Sequence, residues 1–410
     1  MTKKNFTTRS LNVPFPKGDA HRALHFPIYE SVAFDFETAE DIAANFRGEY
    51  PAHVYSRTGN PTVEYFEHKL KALTNAYHVL AVSSGMAAIS NAILTLCKGG
   101  DNIVADKNLF GHTYALLSQT LPALGIEARF VDFNHIDKIS PLIDENTRAI
   151  YFETVTNPQL EVPNIDALSS IAKKNKLVLI ADSTLTPPVV FNSKKHGVDL
   201  EVMSTTKFIS GGATSVGGAV IDNGTYDWNQ NPNLAPFIDK LGKDTFYSRL
   251  KKNIFRNLGG CMTAHSAYFQ ILGLDILELR VNKCVDNCLK LGEYLENQPK
   301  VASVNYPSLN SSRYYLLSFK YFGHKPGAIM TFDLESEAAC FAFMNKLKII
   351  RRATNLNDNK TLIIHPYSTI YVEFTPEQRA NMGIRPTMMR LSVGIEGIED
   401  LIEDIEQALK

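Results

Sequence analysis

No apolar run in this chain is long enough to span a bilayer. The longest, such as Leu177 to Ala181, fall far short of the ~20 residues a membrane helix needs. The opening Met1-Thr2-Lys3-Lys4-Asn5 is not followed by an apolar segment, so no signal peptide is expected. An excess of charge is lacking too: 42 Lys plus Arg face 43 Asp plus Glu, for a formal net charge of −1. No global field therefore draws the chain toward nucleic acid or an anionic membrane. Cysteine is scarce. Cys97, Cys261, Cys284, Cys288 and Cys340 form no metal-ligand pattern and read as reduced thiols of a cytoplasmic protein. Cys284 and Cys288, on an expected helix, are assigned to packing. Both glycine fingerprints of nucleotide sites are missing, G-x-x-x-x-G-K-[ST] and a G-x-G-x-x-G after a strand, which disfavours a nucleotide-dependent oxidoreductase. Internal repeats and low-complexity segments are absent as well.

What remains is an ordinary folded composition, 44% hydrophobic and 21% charged, in 410 residues, enough for two or three domains. Residues 1–60 hold Pro14, Pro16, Pro27 and Pro51 and read as an irregular arm that wraps another part of the protein or a second subunit. Residues 61–260 alternate short apolar runs with helical patterns. The runs His78–Val82, Asn102–Ala105, Ala128–Asp132, Ala149–Glu153, Leu177–Ala181, Leu200–Met203 and Val216–Ile221 read as buried strands. Helices are expected near 86–97, 112–124, 135–143 and 165–175. This alternation predicts an α/β domain with a mostly parallel seven-stranded sheet covered on both faces. Residues 261–410 read as a smaller α+β domain, with a long helical region at 263–297, a strand within Gly327–Leu334 and a closing helix at Ile398–Leu409.

Ligands of parallel sheets sit at the carboxyl ends of strands. Ser83–Met86, Glu153–Asn157, Asp182 and Ser204–Lys207 fall along that one rim. In Ser204-Thr205-Thr206-Lys207 an amine that can capture an aldehyde lies beside hydroxyls suited to phosphate. Asp182 ends an otherwise apolar strand, where a carboxylate is costly unless partnered; a protonated ring nitrogen would satisfy it, as would loop amides. Ser83-Ser84-Gly85-Met86 opens a helix with small residues, which suits either a phosphate or a plain N-cap. In Tyr55–Thr62, Arg57 suits bidentate phosphate contact, or the segment is a Gly-Asn-Pro turn with an exposed Arg. Arg390 places one cation inside an apolar strand, where a substrate carboxylate or a neighbouring Asp or Glu would balance it.

Together these motifs resemble the Cys/Met-metabolism family of pyridoxal phosphate enzymes, with the aspartate-aminotransferase-like fold (fold type I). The likeness runs from about residue 26 to the C-terminus. It is carried by Tyr55–Thr62, Ser83–Met86, Phe152-Glu153-Thr154 with Asn157-Pro158, Ala181-Asp182-Ser183-Thr184, Ser204–Lys207 and Arg390–Glu396. The resemblance implies pyridoxal 5'-phosphate as cofactor. Lys207 then looks like the Schiff-base lysine and proton shuttle, Asp182 like the pyridinium partner, and Asn157 like the contact to the phenolic oxygen. Gly85, Met86, Ser204 and Thr206 resemble the phosphate cradle. Tyr55 and Arg57 match residues that reach the phosphate from a neighbouring subunit, which implies a dimer paired into a homotetramer. Arg390 matches the arginine that grips the carboxylate of an amino-acid substrate, with Asn355 beside it.

Several positions depart from the family pattern. Its Tyr over the cofactor ring is Phe110, in Phe110-Gly111-His112-Thr113, which can stack but cannot donate a proton. Lyases acting on methionine tend to carry Cys where His112 stands. Asn355-Leu356-Asn357 replaces a Ser-Leu-Gly motif, while Tyr367 and Tyr371 replace an Ala and a His. The stretch Glu373–Arg379 with Gly383–Pro386 is similar to the sulfhydrylases of the family that act on O-acetylhomoserine. The expected reaction is γ-replacement on O-acetyl-L-homoserine with sulfide or a thiol, giving homocysteine and acetate. Methionine or cystathionine γ-lyase is the alternative, then cystathionine γ-synthase, and a non-catalytic homologue is the rival from another class.

Overall fold

Seven apolar runs bounded by turn residues build one sheet, in a computed structural model that describes residues 4–16 and 18–410. Met1–Lys3 of the opening segment lie outside the described residues. The strands are β1 (His78–Val82), β2 (Asn102–Asp106), β3 (Glu127–Val131), β4 (Thr147–Glu153), β5 (Val178–Asp182), β6 (Leu200–Met203) and β7 (Gly218–Asp222). Their order is β1-β7-β6-β5-β4-β2-β3. The neighbours from β3 to β6 pair in parallel, while β7 runs antiparallel between β1 and β6. Every expected strand of this sheet is present, β1 and β6 with the expected ends and the other five with ends shifted by one or two residues.

The strands read as near-continuous apolar runs because both faces are covered. Helix Gly85–Leu96 packs Ala88, Ile89 and Ile93 against Val82, Ala105 and Tyr151 on one face. Helix Ile165–Lys174 packs Ile165, Leu168 and Ala172 against Val104, Ile150 and Phe152 on the other. A second sheet holds β8 (Ser303–Asn305), β9 (Ile329–Asp333), β10 (Arg351–Arg352), β11 (Leu362–Ile364) and β12 (Met388–Ser392) in the order β10-β11-β12-β9-β8. Cys284 and Cys288 are buried in the core beneath it, where Met330, Phe332 and Met389 meet helices Leu277–Glu296 and Ile398–Leu409. That core is continuous with Val79 and Met203 of the first sheet, so the two sheets are set rigidly against each other. Among the described residues no helix is long and apolar enough to cross a membrane.

Three expected elements differ. Residues 135–143 form only two 3-10 turns, Ile136–Lys138 and Ser140–Leu142. Pro141 lacks an N–H and disfavours helical geometry at Ser140, so an α-helix cannot propagate through it. The 112–124 helix is broken into Gly111–Ala115, a π-helical turn at Leu116–Thr120 and a 3-10 turn that begins at Pro122. The long helical region expected at 263–297 is present, as two helices, Ala264–Asp275 and Leu277–Glu296. In the arm, Phe6–Leu11 and Ala39–Arg47 are helical where irregular chain was expected. Asn5 and Thr38 cap their N-termini; the first helix ends before Pro14 and the second fits between Pro27 and Pro51. The first arm helix lies on its own chain, with Ser10 Oγ donating to Leu274 O at 3.0 Å.

Candidate active site

One cavity of about 490 Å³ opens at the carboxyl ends of the parallel strands. All of the expected site residues line it except Tyr55 and Arg57. It is built from the end of β1, from β4, β5 and β6, and from Thr354–Leu356 and β12 of the second sheet.

At one end, Ser84 caps helix Gly85–Leu96, its Oγ accepting from Ala87 N at 3.1 Å. The first amides of such a helix have no intrahelical acceptor and face outward with the positive end of the helix dipole. Only glycine fits at position 85. A Cβ there would lie 2.6 Å from Ser204 Cβ, so the helix start and the Ser204 turn could not meet. Thr184 Oγ1 anchors that turn by accepting from Ser204 N at 2.9 Å. Thr206 Oγ1 is engaged with Gly217, donating to its carbonyl at 3.1 Å and accepting from its amide at 3.0 Å.

In the middle, parallel register sets Glu153 beside Asp182 at the ends of β4 and β5. Asp182 accepts from Thr184 N at 2.9 Å and from the Tyr151 hydroxyl at 3.3 Å. Glu153 accepts from Phe110 N at 2.6 Å and from the Asn157 amide. All of these donors are neutral. Burial therefore pushes both carboxyls up, Glu153 well above the usual range with help from the neighbouring Asp182 charge. Two buried carboxylates side by side want a cation.

At the far end, Lys207 Nζ donates to Asn355 Oδ1 at 2.8 Å, and Asn355 Nδ2 donates to Asp358 at 3.0 Å. Burial, and then the Arg390 charge, pull the Lys207 ammonium down to about 8, against the pull of Asp358. Arg390 is 2% exposed. Its guanidinium donates to Asn157 Oδ1 at 3.1 Å, Thr354 O at 3.0 Å and Asn355 O at 3.2 Å. No Asp or Glu balances it, and Nε is buried without a partner among the described residues. Burial pulls this guanidinium down to about 10. A buried cation with a spare donor is built to receive an anion.

Phe110 forms part of the wall, with the His112 ring edge-on at 5.1 Å. Tyr114 points away and stacks on Phe130 at 4.6 Å. Tyr367 lies under the Arg379 guanidinium, outside the cavity. Tyr55 and Arg57 are elsewhere on the subunit. Arg57 Nη1 donates to Arg256 O at 2.6 Å, and its guanidinium lies 5.7 Å from the half-exposed Tyr55 ring. Thr184 and Ile370, which also line the cavity, were given no role from the sequence. Glu153 was placed on the rim by the same strand-end rule as Asp182, but without a role of its own.

The family description "Cys/Met metabolism PLP-dependent enzyme" matches residues 7–410. The chain belongs to this family. Among its relatives is the O-acetyl-L-homoserine sulfhydrylase of Corynebacterium glutamicum, 34% identical over 98% of this chain and 96% of that one. The homocysteine/cysteine synthase of Saccharomyces cerevisiae is 32% identical over 96% of this chain and 95% of its own. Of the solved structures, a putative O-acetylhomoserine (thiol)-lyase from Campylobacter jejuni superposes with a TM-score of 0.93 at 33% identity, covering 99% of this chain and all 100% of that one. That structure carries an N'-pyridoxyl-lysine-5'-monophosphate residue. An O-acetylhomoserine sulfhydrylase of Wolinella succinogenes superposes with a TM-score of 0.82 at 43% identity, with 99% and 100% covered. Pyridoxal 5'-phosphate is thus the cofactor of this family member, and its fold is that of these enzymes.

Proposed function

We propose that this enzyme is an O-acetyl-L-homoserine sulfhydrylase, replacing acetate at Cγ with sulfide or a thiol to give homocysteine or its thioether. The carrying observation is the composition of this cavity: a buried amine, a buried guanidinium with a spare donor, and at Phe110 a phenyl ring that carries no proton donor. Acetate departs as a stable anion and needs no proton at its oxygen, so it is the leaving group that this wall disfavours least.

The residues fit pyridoxal 5'-phosphate. The neutral-donor environment of Asp182 and Glu153 lacks a cation, which a protonated ring nitrogen on Asp182 would supply. The glycine-only contact of residue 85 with Ser204 leaves the helix amides open to a phosphate, with Met86, Ser204 and Thr206 around it. Asn157 spends its Oδ1 on Arg390, which keeps its Nδ2 for the phenolic oxygen. When bound, the cofactor supplies the electron sink for charge released at Cα.

Lys207 would hold the cofactor through its aldehyde carbon, and its amine is the group placed to move protons at the substrate's Cα and then Cβ. Its depressed basicity keeps a working fraction of free amine near neutrality. Arg390 takes the substrate α-carboxylate on its spare Nε, and Asn355 steers Lys207 Nζ through its side-chain oxygen. The Cγ–O bond breaks to release acetate, and the Cγ–S bond forms from sulfide, whose second proton balances the exchange. Tyr55 and Arg57, which face away from the cavity of their own chain, reach the phosphate of a neighbouring subunit. The active unit is then a dimer with shared sites, paired into a homotetramer, in the cytoplasm.

The test is direct. Purified protein loaded with pyridoxal 5'-phosphate is given O-acetyl-L-homoserine with and without sulfide, and homocysteine is measured against 2-oxobutyrate. Sulfide-dependent homocysteine as the main product is expected. Mostly 2-oxobutyrate at any sulfide level would replace this reading with a γ-lyase.

A further inference from the structure

Two residues that the chemistry above leaves idle hold the cavity wall from opposite sides. Glu153, at the end of β4, accepts from the amides of Phe110 and Asn157. Tyr371, in the segment between β11 and β12, brings its hydroxyl to 3.2 Å from Leu109 O and 3.0 Å from Asn157 O. Both side chains are buried, Tyr371 completely. The Leu109–Phe110 peptide is therefore gripped at its carbonyl by Tyr371 and at its N–H by Glu153. Asn157 is held through two successive peptides, its N–H by Glu153 and its carbonyl by the Tyr371 hydroxyl, whose one proton is shared with Leu109 O.

We infer that Glu153 and Tyr371 are a pair of positioning residues that tie the Phe110 and Asn157 backbones to each other and so fix the ring and the side-chain amide that wall the cavity. The inference rests on the functional reading only for what those two wall groups touch. A peptide plane held at both ends cannot rotate, and the attached ring cannot swing without breaking a buried hydrogen bond. Phe110 has no hydroxyl with which to anchor itself, so its orientation must come from its backbone. Packing adds to the brace from the same side: a Cβ at Gly111 would lie 3.2 Å from Ile370 O, so the 370–371 segment presses directly on the turn that carries Phe110. The brace also joins distant parts of the chain, since Tyr371 lies 214 residues from Asn157.

The test uses Tyr371→Phe, Glu153→Ala and Glu153→Gln in the full chain. Hydrogen–deuterium exchange is followed in peptides covering 108–113, 155–159 and, as a control, 178–182 of β5. The first two substitutions are expected to speed exchange in both wall segments by about tenfold, the loss of one net hydrogen bond, with the control unchanged. Glu153→Gln, which keeps an acceptor, is expected to restore much of the protection. Unchanged exchange in the wall segments would overturn the brace, and so would an equal rise in all three peptides, which is general destabilisation. In the cofactor-loaded enzyme, Tyr371→Phe is expected to lower kcat/KM by about tenfold, and to do so much less in a Phe110→Leu background. Full additivity of the two would overturn the link to the ring. The exchange measurement needs neither cofactor nor substrate, so it stands or falls separately from the sulfhydrylase reading.

Discussion

Lys207 sits between two charges of opposite effect, Arg390 pulling its basicity down and Asp358 pushing it up, with burial deciding the balance toward about 8. Only the neutral amine attacks an aldehyde. The cofactor-free protein is therefore expected to take up pyridoxal 5'-phosphate faster as the pH rises through about 8, and to level off above it. Stopped-flow absorbance across a pH series checks this; a flat rate between pH 7 and 9 would mean that the amine is not the titrating group. Most of the cavity wall was legible from residue types alone, because a parallel sheet delivers its strand ends to one rim and polar residues there stand out against apolar strands. Tyr371 was visible as an unusual residue but not as a brace. Its partners are carbonyls far away in the chain, and carbonyls leave no mark in a sequence.

At the level of elements, β6 carries a carboxyl that the site does not use. Glu201 accepts from the Ser183 and Ser193 hydroxyls in a fully buried setting, which pushes it up to about 7. An acid raised on folding stabilises the fold at low pH, and that contribution fades as the pH climbs from the unfolded value near 4.5 to about 7. The loss amounts to roughly 3 kcal/mol at 1.36 kcal/mol per pKa unit. Glu201→Gln is therefore expected to raise the melting temperature by a few degrees at pH 8 and to change it little at pH 4.5, as read by calorimetry. An unchanged melting temperature at pH 8 would mean that the carboxylate is already compensated. The strands were legible since double-sided burial makes each one a plain apolar run. The helical stretches were read less well. Pro141 and Pro122 break patterns whose apolar spacing looks helical, and the arm helices depend on caps that composition hides.

For the whole molecule, the separation of Tyr55 and Arg57 from their own cavity makes the assembly testable. Arg57→Ala and Lys207→Ala proteins are each expected to be nearly inactive alone. In a mixed dimer, one site keeps Lys207 together with Arg57 of the partner subunit, so denaturing and refolding an equal mixture should recover about a quarter of normal activity. No recovery would place each site within a single chain. The order of the cavity residues along the chain has a further consequence. Ser84 through Lys207 leave the ribosome first, Asn355 follows much later, and Arg390 emerges only with the last strand. A nascent chain can hold the half of the pocket meant for phosphate while the half that recognises an amino acid is still unmade. The aldehyde trap is thus written into the chain well ahead of the substrate gate.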